Sequence, residues 1–112
     1  MIVRIFRVRV PAHLQGAFEE KFLSVSVPAV ERQAGFVSVT VGKPTRWSPD
    51  EYMMISTWES ESALESFAGK DWNRAVIPDG MAQYVLECRV HHYEVFGDPE
   101  HRAGAAGKQD SM

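Results

Sequence analysis

The sequence predicts an α+β sandwich in which one four-stranded antiparallel sheet carries both helices on a single face. Three observations point there: four β-rich segments, two stretches of helical periodicity, and their order along the chain, β-α-β-β-α-β. The 112 residues are 45% hydrophobic, 24% charged and 11% aromatic, enough for one domain with its own core and too few for two.

The first strand is read over residues 2–10. Phe6, Val8 and Val10 fall on one face, Val3, Ile5, Arg7 and Arg9 on the other, and Pro11 ends it. From about His13, the apolar residues Leu14, Ala17, Phe18, Phe22, Val25 and Ala29 recur at three- and four-residue spacing, the stripe of a helix facing a core. Pro28 must kink or restart that helix, and Gly35 closes it as a left-handed cap. Phe36 to Val41 alternates as a strand, setting Val37, Val39 and Val41 against Ser38 and Thr40. A turn-rich connection through Asp50, with Arg46 and Trp47 at its tip, leads into a third strand from Tyr52 to Trp58. Glu59-Ser60-Glu61-Ser62 offers capping hydroxyls and first-turn acids, and Ala63, Leu64, Phe67 and Ala68 supply the buried stripe of the second helix. Gly69 breaks it, short turns follow around Trp72 and Met81–Tyr84, and Leu86–Phe96 reads as the last strand. The domain is therefore expected over residues 1–96, with the Gly- and Ala-rich residues 97–112 a flexible tail.

This is the ferredoxin-like element order. Strands one, three and four carry apolar residues on both faces, among them Ile5, Phe6, Met53, Met54, Ile55, Val90, Tyr93 and Val95, so the helix-free face should not meet water. A second copy applied through that face gives a homodimer whose two sheets enclose an α/β barrel. A formal net charge of −3 without a basic block excludes nucleic acid as the natural partner. The single cysteine, Cys88, makes no internal disulfide, the N-terminus lacks signal-peptide zones, and no apolar run approaches the ~20 residues of a membrane span. The expected compartment is the cytoplasm, with no membrane partner.

Gly35-Phe36, the strand Tyr52-Met-Met-Ile-Ser-Thr-Trp58 with the following Glu59-Ser-Glu-Ser-Ala-Leu64, and the closing His92-Tyr93-Glu94-Val95 together resemble the antibiotic biosynthesis monooxygenase (ABM) domain, a dimeric α/β barrel family. The resemblance spans about residues 2–96. It implies a cofactor-independent monooxygenase acting on a small aromatic phenol, quinol or polyketide-like substrate, or a non-catalytic binding or interaction module on the same fold. Haem-degrading relatives use an asparagine, a tryptophan and a histidine whose counterparts by this resemblance are Phe6, Phe67 and Ile77, all apolar. Haem cleavage through that set is thus disfavoured, because an iron needs an axial ligand, and a haem-binding or haem-degrading protein using another ligand such as His91 or His92 is the third reading the resemblance leaves. No cofactor is expected.

Within that frame Phe6, Trp58, Phe67, Trp72, Ile77 and Met81 are candidates for the substrate pocket, and His92, His91 and Tyr93 for catalysis, a histidine as base and Tyr93 as hydrogen-bond donor. Each has a plainer reading: Trp58, Phe6, Phe67 and Met81 as core, Trp72 as packing, the histidines as structural or solvent-facing. A metal site on the last strand fails on geometry. His91 and His92 point to opposite faces, and Cys88 lies roughly 13 Å from His92 along the strand, too far to share an ion held at ~2.0–2.3 Å.

Overall fold

The computed structural model describes residues 1–97, so the tail expected over 97–112 lies outside the described residues except for Gly97. Strand β1 (Ile2–Arg9) runs antiparallel between β3 (Glu51–Trp58) and β4 (Glu87–Glu94). Strand β2 (Phe36–Gly42) pairs with the outer side of β3, giving the order β2-β3-β1-β4. The register sets Arg4 opposite Ser56 on one side and His92 on the other, and Phe6 opposite Met54 and Val90. Because side chains alternate, Ile2, Arg4, Phe6 and Val8 share one face with Tyr52, Met54, Ser56 and Trp58, and Val3, Ile5, Arg7 and Arg9 share the other. In β2 the expected clean alternation is broken by an irregularity between Phe36 and Ser38. Phe36, Val39 and Val41 pack on the core, while Val37 is 43% exposed.

The first helical layer follows a 3₁₀ turn (Ala12–Leu14) and is one continuous run: α1 (Gln15–Lys21), a π-helical turn (Phe22–Ser26) and α2 (Val27–Glu31). Pro28 lacks an N–H and its ring crowds the carbonyl four residues back, so the chain widens here instead of breaking. The wide turn buries both Phe22 and Ser26. The run ends at Glu31 with Arg32 as its right-handed cap, short of Gly35, which was expected to close it. Gly35 instead turns the chain into β2 with φ +83°, a side chain there would collide with Cβ of Ala63, and its carbonyl accepts from the Glu59 amide at 2.9 Å. Helix α3 (Glu61–Ala68) is capped by Ser60, whose hydroxyl accepts from the Ala63 amide at 3.1 Å.

Both helical layers lie on one face of the sheet. The core between them joins Phe18, Phe22, Val30 and Leu64 to Ile2, Val8, Tyr52, Met54 and Trp58. Phe18 stacks on Phe22 with centroids 4.7 Å apart, and the Tyr52 hydroxyl donates to Glu19 at 2.7 Å, tying α1 to β3. At the other end of β1, Arg9 bridges Asp50 at 2.8 Å and Glu87 at 3.0 Å, the latter an ion pair across β1 and β4.

Candidate functional site

Between the sheet, the first helical run and the segment after α3 lies a pocket with Phe6, Val8 and Met54 as its floor. Phe18, Phe22 and Val30 come from the helices, Phe67 from α3, and Val76, Ile77, Pro78 and Met81 from the connecting segment. The cavity measures about 40 Å³, well short of the roughly 300–1,000 Å³ typical of small-molecule sites. A ring must therefore press the walls apart or displace the 76–81 roof.

Four of the expected pocket residues, Phe6, Phe67, Ile77 and Met81, line this cavity. Trp58 stands one layer behind. It is fully buried and stacks on Phe67 at 5.1 Å with an interplanar angle of 20°, while its indole Nε1 donates to Ser56 Oγ at 3.0 Å. Trp72 sits beside the pocket, its ring edge-on to His92 at 4.6 Å.

Of the residues expected to do chemistry, His91 and Tyr93 are on the helix-free face, because the Arg4–His92 register turns every second residue of β4 away from the pocket. Tyr93 is 56% exposed there. His92 is on the pocket side but does not line the cavity, and its Nε2 lies 3.0 Å from Nη1 of Arg4. A guanidinium only donates, so Nε2 is the acceptor and the imidazole is neutral with its proton on Nδ1. Burial first, then the adjacent Arg4 charge and His91, push the His92 pKa down to about 4. An imidazole so weakly basic and already engaged is a poor proton acceptor. Its visible work is to orient Arg4.

The site residues that sequence patterning did not bring forward are Arg4, Ser26 and Ser56. Arg4 is only 3% exposed, lines the cavity, and donates to the carbonyls of Trp72 (2.6 Å) and Arg74 (2.8 Å) as well as to His92. Its Cζ stands 5.8 Å from the centroid of Phe67. Arg4 and Ser56 were visible in principle, as polar residues on otherwise apolar inward faces of β1 and β3. Ser26 was not, because its inward turn depends on the π-helical register.

The sequence model of the family described as antibiotic biosynthesis monooxygenase matches residues 1–77, the part of the chain that holds β1 to α3 and the start of the pocket roof. The chain belongs to the antibiotic biosynthesis monooxygenase family. No curated protein matches it in sequence. Among solved structures, MhuD from Mycobacterium tuberculosis, a heme-degrader with two hemes bound in its active site, is 22% identical over 88% of this chain and 98% of its own, with a TM-score of 0.65. An arginine-to-serine variant of MhuD with two manganese protoporphyrin IX molecules per active site is 25% identical over 88% and 97%, TM-score 0.66. SnoaB from Streptomyces nogalater, a cofactor-independent oxygenase solved as an asparagine-to-alanine variant, is 16% identical over 87% and 94%, TM-score 0.67. For this member of the family the donor set does not suit haem. Among the described residues no imidazole, thiolate or phenol lines the cavity, Ile77 offers the iron nothing, and the His92 lone pair is spent on Arg4.

Proposed function

We propose that this ABM protein is a cofactor-independent oxygenase of a small electron-rich aromatic compound, a phenol, quinol or polyketide-like ring held between Phe6 and Phe67. The observation that carries the reading is the pocket itself: aromatic and aliphatic walls, a narrow interior, and one buried cation at its floor. Such a site favours electron transfer from an ionised ring to oxygen, because it strips solvent from the anion and places fixed donors where charge develops. The balance closes without a reductant. A ring CH₂, or its phenol tautomer, becomes C=O with one oxygen atom, the other leaves as water, and the substrate supplies all the electrons.

One observation favours a second reading, a binding module without turnover: no lining residue is a base at neutral pH. Oxygen consumption with a panel of naphthols, anthrones and quinols separates the two. Saturable uptake that falls in Phe67→Ala is the expected result, and uptake no faster than the autoxidation blank across the panel moves the assignment to the binding module. Among the described residues no helix is long and apolar enough to cross a membrane, and the one cysteine, Cys88, is free, which supports a reducing cytoplasm. Val3, Ile5, Ile55 and the exposed Tyr93 on the helix-free face support a homodimer through that face. Sedimentation should give twice the 12.6 kDa chain mass, and a monomer at micromolar concentration overturns the dimer.

A further inference from the structure

We propose that the pocket takes its ligand as an anion, with a phenolate or carboxylate oxygen seated against the guanidinium of Arg4 and the hydroxyls of Ser26 and Ser56. The proposal deepens the oxygenase reading and rests on it for the ligand's aromatic body.

Arg4 is a buried charge without a counter-charge. Its three hydrogen-bond partners are two carbonyls and a neutral imidazole, and among the described residues no carboxylate lies within ion-pair distance of it. Burial alone, unopposed by any acid, lowers its pKa to about 10, so it stays positive at neutral pH. Of its five N–H groups, Nη1 spends two and Nη2 one; the Nε hydrogen and the second Nη2 hydrogen remain on a side chain that lines the cavity.

The other polar side chains of the lining add to this. Ser56 stands directly across from Arg4 on β3, and since its Oγ already accepts from Trp58, its own hydroxyl hydrogen is left to donate. Ser26 faces the same cavity from the π-helical turn. Among the described residues no Asp or Glu lines the pocket to repel an anion. An anion is the ligand that supplies the missing charge, and charge-assisted hydrogen bonds are the strong ones. An acidic phenol that has lost its proton to bulk water before entering also needs no base from the protein, which fits a lining that contains none.

The test is calorimetric titration of the full chain with benzoate against benzamide and 2-naphthoate against 2-naphthamide, pairs alike in shape that differ in charge. Each carboxylate should bind at least about tenfold tighter than its amide. Arg4→Gln should level that ratio, and Arg4→Lys should keep a preference for the anion. A general loosening of the fold would weaken both members of a pair and leave the ratio standing. Equal or tighter binding of the amides, a ratio unchanged in Arg4→Gln, or no carboxylate binding up to millimolar concentration overturns the proposal. Anion selectivity without oxygen uptake refutes the oxygenase reading alone; uptake without anion selectivity refutes this one alone.

Discussion

Replacing His92 by Gln should remove a pH dependence from folding that the native chain carries between neutral pH and about pH 4. In the folded protein the imidazole is held neutral, with a pKa near 4 against the ordinary 6.5 it regains when unfolded. Between those values the unfolded chain binds the extra proton, so stability is full above about 6.5 and is lost as pH falls toward 4. The whole gap is worth about 3 kcal/mol before screening. Residual exposure of the ring screens this, and about 2 kcal/mol is the figure to expect. Gln keeps an acceptor for Arg4 but does not titrate. Urea unfolding at half-unit steps from pH 4 to 7.5 measures both proteins, and their difference cancels the carboxylates and the other histidines. A difference that stays constant across the range refutes the assignment of His92 as a neutral acceptor for Arg4.

Gly35→Ala should cost about 3 kcal/mol, from a left-handed backbone angle and overlap with Ala63 together; a urea midpoint within the error of the native value contradicts the close approach. Trp58→Phe should cost about 2–3 kcal/mol, because it leaves a void beside Phe67 and strands Ser56 Oγ without its indole donor; a loss below about 1 kcal/mol would mean that the stack repacks. Arg4→Met should raise amide hydrogen exchange selectively in residues 72–78, since the carbonyls of Trp72 and Arg74 lose their anchor. Faster exchange spread evenly over the sheet would instead mark a global effect.

The architecture was legible because each element had its own local cause. Alternation set the strands other than β2, the hydroxyls after Glu59 offered the cap that Ser60 makes, and Gly35 takes the left-handed angle expected of it although the helix ends earlier, at Glu31. Faces within a strand were legible for β1, where Phe6 and Val8 define the inside. They were not for β4, since Glu87–Glu94 has no clean apolar face of its own, and only its register against β1 shows that His92 looks inward while His91 and Tyr93 look out. In β2 the irregularity beside Val37 is decided by how Phe36 meets Trp58, a tertiary contact with no local signature. Arg4 was hidden for a different reason. One of three arginines in a β-rich segment, beside Arg7 and Arg9, it resembles an edge charge until the strand is known to be central and the residue to face the helices.

Arg4 also explains why the pocket has a roof. The segment that contributes Val76, Ile77, Pro78 and Met81 carries little regular structure, and its fixed points near the sheet are the carbonyls of Trp72 and Arg74 on the Arg4 guanidinium and the Trp72 ring against His92. The side chain that charges the cavity floor is therefore the one that ties down its cover. A buried cation solvated only by carbonyls and an imidazole is a costly anchor if closure were its only task, because an apolar contact would serve at lower desolvation cost. The expense is intelligible if the same charge must meet a ligand. Removing the charge should then take away the preference for an anion and the anchor of residues 72–78 together, because both rest on one guanidinium.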